Sequence, residues 1–124
     1  MRQTLGARIR SFGHAFRGLG EMLRGEVHAR VHALATCVVV VVGLVLRVSR
    51  EEWLALVLAI ALVWVAEAVN TALEALCDVV SPAPHPGIRR AKDVAAGAVL
   101  IAAFGATGVA GIVFGPRLLA LTAG

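Results

Sequence analysis

The sequence is poor in charged residues, aromatic residues and cysteine, and it contains no tyrosine. Only 16% of its 124 residues are charged and 59% are hydrophobic, which excludes an ordinary soluble domain and favours a small bundle of membrane spans. Aromatic residues are not interleaved with basic ones, so we expect no nucleic-acid partner. Cys37 and Cys77 lie in separate apolar segments. We interpret them as small core residues, not as a disulfide or a metal site.

Other sequence features are also missing, and they limit the functions that the chain could have. No apolar core precedes Val31 and no small-residue cleavage site follows it, so we expect no removable signal peptide. The chain has neither a GxxxxGK[ST] P-loop nor the protein-kinase motifs, and any ATP site must therefore have another design. The net charge of +4 comes almost entirely from arginine, with Lys92 the single lysine. In an apolar chain this surplus indicates contact with anionic headgroups or phosphate.

The apolar pattern predicts four helices. Residues 4–25 combine apolar side chains at helical spacing with several arginines, which is typical of an amphipathic helix lying on a membrane. Apolar segments then predict transmembrane helices over about 28–47, 52–79 and 88–115. Ser49 and Glu52 form a predicted capping box at the start of the second span. The expected fold is an all-α membrane protein, with one domain over residues 1–124.

An acidic stripe follows the apolar part of the second span. Its members are Glu67, Asn70, Thr71, Glu74 and Asp78, at offsets of 3, 4, 7 and 11 residues from the first. These offsets place all five on one face of a helix. An unpaired carboxylate at membrane depth is costly and generic packing does not require one, so the stripe predicts a functional site.

The distribution of basic residues predicts the orientation. The N-terminal segment and the loop between the second and third spans share one side of a three-span protein, and that side carries Arg2, Arg8, Arg10, Arg17, Arg24, Arg30, Arg89, Arg90 and Lys92. The other side carries only Arg47, Arg50 and Arg117. The positive-inside rule makes the first side cytoplasmic, with the acidic stripe opening toward it.

The residues alone leave the chemistry open. Carboxylates and a lysine in the cytoplasmic interface suit a magnesium–nucleotide complex, and the deeper Glu67 can accept a proton from a lipid hydroxyl. A small proton-coupled transporter would show much the same pattern, and a purely structural subunit ranks third because it has no use for Glu67. His28 and His32 are four residues apart, a spacing zinc ligands use, but without a third ligand nearby we interpret them as membrane-interface histidines.

Two separated motifs resemble one family closely. The run E-x-x-N-T-A-L-E-x-x-x-D over residues 67–78 and the run A-K-D-V-A-A-G-A-V-L over residues 91–100 are similar to motifs of the prokaryotic diacylglycerol kinases. That family comprises small three-span lipid kinases, and the resemblance covers nearly the whole chain in order and spacing. It implies a homotrimer in a cell membrane, with the N-terminus and the active sites cytoplasmic and the sites formed between protomers.

The resemblance also implies roles for individual residues. Glu67 matches the catalytic base, and Glu26 and Glu74 match carboxylates that bridge Mg²⁺ to ATP. The implied nucleotide-binding residues are His14, Glu26, Glu74, Ala83, Pro84, His85, Lys92 and Asp93. The implied lipid-binding residues are Glu67, Asn70 and Ala96. Position 14 departs from the family, which usually has a tyrosine there.

The lipid alcohol is less sharply indicated than the reaction. The Pro82-x-x-His85-Pro86 loop and Gly115-Pro116 near the end of the last span resemble the branch associated with undecaprenol phosphorylation. The diacylglycerol-specific branch usually has Asn-Ser where this chain has Asn70-Thr71. Undecaprenol is the expected substrate, and diacylglycerol is the alternative.

Overall fold

The structure, a computed structural model, describes residues 4–124 and forms four α-helices from them. The helices are α1 Leu5–Gly25, α2 Val27–Val45, α3 Arg50–Val80 and α4 Pro86–Thr122, and the described residues include no strand. The last three helices are long and apolar enough to cross a membrane. The prediction of an all-α membrane protein with an amphipathic first helix and three spans is therefore confirmed.

Helix α1 is set apart from the spans by a single extended residue. Glu26 has φ −109° and ψ 120°, so it ends α1 and precedes α2 without belonging to either helix. Its N–H donates to the Met22 carbonyl at 2.9 Å, and Met22 is the one buried side chain of α1. Leu5, Phe12 and Phe16 are exposed, as the apolar face of an interfacial helix requires.

Helix α3 begins with the predicted capping box. Ser49 Oγ accepts from the Glu52 N–H and Glu52 Oε1 accepts from the Ser49 N–H, each at 3.1 Å. Just before it, Arg47 has a φ of +51°, which closes the turn between α2 and α3. Two backbone donors at the end of a span are thereby satisfied without water.

The buried core lies at this end of the bundle. Val48, Leu56, Val113 and Phe114 form its centre, and flanking residues of α2, α3 and α4 pack around them. Above the core, the Arg117 guanidinium donates to both carboxylate oxygens of Glu52 and, at 3.4 Å, to the Leu46 carbonyl. One arginine thus joins the ends of all three spans.

Helices α3 and α4 are longer than a bilayer is thick. At 1.5 Å per residue, 31 and 37 residues give lengths of about 46 and 55 Å, against a hydrocarbon core of about 30 Å. Helix α4 continues through Pro116 to Thr122, beyond residue 115 where the sequence placed the end of the third span. Both helices are therefore long enough to extend beyond the hydrocarbon core that they would cross.

The two cysteines differ in their surroundings. Cys77 is buried on α3, as predicted, but Cys37 is exposed on α2 and both are free thiols. The prediction that Cys37 is a core residue is wrong within the chain, because its face of α2 is not covered by α3 or α4.

Close packing at Gly43 gives a test of the fold. A Cβ at position 43 would lie 2.6 Å from Cη2 of Trp53, so Gly43→Ala must displace the indole. We expect a destabilisation of about 1–3 kcal/mol, the usual effect of overpacking. The measurement is thermal unfolding in detergent, with Gly13→Ala as the control because nothing lies within 4 Å of a Cβ there. An unchanged Gly43→Ala transition would contradict this packing of α2 on α3.

Candidate functional site

Glu67 is a charged side chain buried in the middle of α3. It is 2% exposed, and among the described residues it is the one buried polar or charged residue of the chain. Its Oε2 lies 3.5 Å from Nε2 of His32 on α2, within ion-pair range and slightly longer than a usual N–H···O hydrogen bond. A buried carboxylate requires such a partner, because leaving it unpaired costs several kcal/mol.

A hydrogen-bonded connection joins the same two helices one turn away. Trp64 Nε1 on α3 donates to Thr36 Oγ1 on α2 at 3.0 Å. The Thr36 hydroxyl donates in turn to the His32 carbonyl at 2.7 Å. The turn of α2 that carries the imidazole is therefore tied to the turn of α3 that carries the carboxylate.

Two oxygens next to Glu67 lack partners. Asn70 Oδ1 and Thr71 Oγ1 are buried atoms with no hydrogen-bond partner among the described residues. Buried polar groups are nearly always hydrogen-bonded, so these two oxygens beside the buried carboxylate are polar groups that the described residues leave unsatisfied.

The C-terminal end of the acidic stripe contacts the start of α4. Lys92 Nζ donates to Asp78 Oδ1 at 2.8 Å, and Glu74 lies within electrostatic range of the same ammonium. Lys92 is about one third exposed and Asp78 is mostly exposed, so the pair is accessible to water. Glu74 is half-buried, between this pair and Glu67 along α3.

The proline-rich loop and the first turns of α4 enclose an open cavity of about 1090 Å³. Its lining includes Asp78, Ala83, Pro84, His85, Arg89, Arg90, Lys92 and Asp93. His85 caps α4, since its Nδ1 accepts from the Gly87 N–H at 3.0 Å. The cavity combines three cations with a helix N-terminus, a combination that suits a phosphate chain.

Glu26 lies at a different cavity. It lines a space of about 550 Å³ between α1 and α3, together with Gly18, Thr71 and Ala75. Thr71 and Ala75 lie on the same two turns of α3 as Glu74. Glu26 therefore faces, across this space, the part of α3 that carries Glu74. His14 and Ala96 are both exposed and line neither cavity.

No group of three or more His, Cys, Asp or Glu side chains within residues 4–124 is placed to hold a metal ion. A pair of carboxylates is nevertheless the donor set that Mg²⁺ takes when substrate phosphates supply the other oxygens. Glu26 and Glu74 supply donors of this type, and the described residues form no permanent metal cage around them.

The sequence did not indicate the pairing of His32 with Glu67. His32 was interpreted as an interface residue, because one sequence does not give the register between two helices. A signal was present: Trp64 lies one turn before Glu67, and Thr36 lies one turn after His32. Each helix thus carries two polar side chains about one turn apart.

Comparison with known proteins agrees with the motifs. The family model described as prokaryotic diacylglycerol kinase matches residues 13–114. The chain is 36% identical over 117 residues to the undecaprenol kinase of Bacillus subtilis (strain 168), covering 94% of this chain and 95% of that protein.

Diacylglycerol kinases are also similar. That of Synechocystis sp. is 35% identical over 112 residues, 90% of this chain and 64% of the relative. That of Escherichia coli (strain K12) is 32% identical over 94 residues, 76% of this chain and 77% of the relative.

Proposed function

Because this chain belongs to the prokaryotic diacylglycerol kinase family, and is therefore a membrane lipid kinase with ATP as its phosphoryl donor, we propose that its lipid substrate is undecaprenol. The support comes from a relative named undecaprenol kinase, which aligns over nearly the full length of both chains. The loop around His85 and the Gly115-Pro116 step support the same substrate. Diacylglycerol is the second candidate, since relatives of that name cover three quarters or more of this chain.

The observation that carries the mechanism is the buried carboxylate of Glu67. At its depth in α3 it can meet the hydroxyl of a lipid alcohol but not bulk water. In the proposed step Glu67 accepts the hydroxyl proton as the lipid oxygen bonds to the γ-phosphorus of ATP. The bond from that phosphorus to the β–γ bridging oxygen breaks, and ADP leaves. Asn70, one turn along, is positioned beside the reacting hydroxyl.

The nucleotide occupies the cavity at the start of α4. Lys92 exchanges its contact with Asp78 for phosphate oxygens, and Asp93 and the Ala83–His85 loop border the rest of the nucleotide. The exchange is inexpensive because both members of the Lys92–Asp78 pair are accessible to water. We assign His14 on α1 to the same nucleotide, and Ala96 on α4 to the lipid.

Magnesium belongs to the same proposal. Glu26 and Glu74 would hold Mg²⁺ together with phosphate oxygens, and the bound ion would neutralise the charge that develops on the transferred group. Glu26 is suited to binding a metal with the nucleotide because it is the extended residue between α1 and α2, directly after the interfacial helix.

We also propose a homotrimer, with each site completed by a neighbouring copy. Its support is the orphaned pair Asn70 Oδ1 and Thr71 Oγ1, together with extensive exposed apolar surface on all three spans. We place the site on the cytoplasmic side, and the support is the concentration of basic residues on α1 and on the first turns of α4. Of the basic residues predicted on that side, Arg2 lies outside the described part of the chain.

The base assignment predicts that Glu67→Gln abolishes phosphoryl transfer. The amide keeps the shape of the side chain but cannot accept the proton, and the protein should remain folded because a neutral group is easier to bury. The assay is transfer of labelled phosphate from ATP to lipid in micelles. Glu51→Gln, exposed at the other end of α3, should retain normal turnover. Near-normal turnover of Glu67→Gln would refute the assignment.

The metal assignment predicts that Glu74→Ala weakens the use of Mg²⁺–ATP. Losing one of two carboxylates should raise the magnesium concentration needed for half-maximal rate by about tenfold, equivalent to roughly 1.4 kcal/mol. Titrating magnesium at fixed ATP measures this directly. A magnesium dependence identical to that of the unmodified enzyme would argue against a metal role for Glu74.

The substrate assignment is tested by comparing the two lipids in parallel assays. Purified enzyme with labelled ATP and Mg²⁺ receives either undecaprenol or diacylglycerol in identical micelles. We expect the higher kcat/KM with undecaprenol. Faster phosphorylation of diacylglycerol would favour the alternative, and substrate-driven proton uptake without lipid labelling would indicate a transporter instead.

A further inference from the structure

We propose that His32 is a positioning residue for Glu67, and that Thr36 and Trp64 hold His32 in place. This inference rests on the proposed role of Glu67 as the base. Among the described residues His32 is the one side chain within ion-pair distance of the buried carboxylate, and it reaches Glu67 across the contact between α2 and α3. Nothing in the packing of α2 requires an imidazole there.

The contact between His32 and Glu67 is one side of a ring of contacts that joins α2 and α3. Thr36 is one turn from His32 on α2, and Trp64 is one turn from Glu67 on α3. Trp64 donates to the Thr36 hydroxyl at 3.0 Å, and that hydroxyl donates to the His32 carbonyl at 2.7 Å. The ring fixes the register of the two helices at the level of Glu67. A shift of one helix by a turn would separate the imidazole from the carboxylate.

The geometry distinguishes the two oxygens of Glu67. Oε2 faces Nε2 of His32, at 3.5 Å. Oε1 is then the oxygen left to receive the proton of the lipid hydroxyl. An N–H on Nε2 would hold Oε2 against α2 and leave Oε1 for the lipid hydroxyl. His32 therefore acts through Glu67 and does not itself touch the transferred group.

His32 also borders a small cavity among the three spans. The cavity holds about 220 Å³ and is otherwise lined mostly by alanines and aliphatic side chains, with Thr36 and Thr107. The imidazole therefore lies between a mostly apolar space and the carboxylate. Apolar surroundings strengthen a hydrogen bond between the two groups, because fewer water molecules compete for it.

The first test compares His32→Gln with His32→Leu. Glutamine can place an N–H where Nε2 lies, whereas leucine has similar bulk and no donor. We expect leucine to lower kcat by about tenfold or more while the KM values for ATP and lipid stay within about twofold, a loss of roughly 1.4 kcal/mol per factor of ten. Glutamine should restore most of kcat. His28→Leu, exposed one turn earlier on α2, is the matched control and should be unaffected.

The second test uses the other side of the ring and does not touch the imidazole. Thr36→Val and Trp64→Phe each remove the interhelical hydrogen bond, and each should lower kcat severalfold with unchanged KM. The double variant should lose no more than the worse single variant, because both changes remove the same bond. Additive losses would contradict the ring. This series also keeps the inference testable where His32→Leu fails to fold.

The outcomes separate this inference from the proposed base. If Glu67→Gln is inactive and His32→Leu is fully active, His32 has no positioning role and the base assignment stands. If Glu67→Gln is active, both the base assignment of Glu67 and the positioning role of His32 are refuted. Equal kcat losses in His32→Gln and His32→Leu, each with a lowered unfolding temperature, would reduce His32 to a packing residue.

Discussion

The rest of the structure depends on placing a carboxylate inside an apolar helix. Glu67 is 2% exposed, and a charge at the centre of a membrane span costs at least about 2.5–3.5 kcal/mol before it is paired. That cost restricts the neighbouring helix, which must present a donor at the same depth. His32 provides the donor, and the Thr36–Trp64 hydrogen bond keeps the two helices in the register that brings donor and carboxylate together. A second constraint lies at the far end, where Arg117 joins the ends of α2, α3 and α4 through Glu52 and Leu46.

From Glu67 toward the C-terminal end of α3, away from Arg117, the helix carries a series of polar side chains. Glu74 follows Glu67 by two turns, and Asp78 pairs with Lys92 of α4. In the proposed mechanism a water-soluble nucleotide and a membrane-embedded alcohol approach this stripe from opposite directions. A lipid kinase has to solve this geometric problem because its two substrates occupy different phases.

Much of this was predictable from sequence, for physical reasons that apply to particular residues. Apolar length and the Ser49–Glu52 capping box set the ends of the spans, and helical periodicity placed Glu67, Asn70 and Glu74 on one face. These features depend on neighbours in sequence. The pairings His32–Glu67, Trp64–Thr36 and Arg117–Glu52 join residues 28 or more positions apart in the sequence, and they depend on the register between helices, which a single sequence does not specify. For the same reason the sequence misplaced Cys37, which lies on a face of α2 that the chain itself leaves uncovered.

The central claim is that Glu67, buried beside His32, is the group that accepts the proton of the lipid hydroxyl, which predicts a carboxylate at this position in the resting enzyme. Infrared difference spectroscopy of the enzyme in lipid nanodiscs measures this most directly, with the spectrum of Glu67→Gln subtracted from that of the unmodified protein. A catalytic base predicts that the carboxylate stretching bands are lost in the variant and that no protonated carboxyl band is lost. A protonated carboxyl band assigned to Glu67 in the resting enzyme would contradict the claim, because a carboxylic acid cannot take the proton from the lipid hydroxyl.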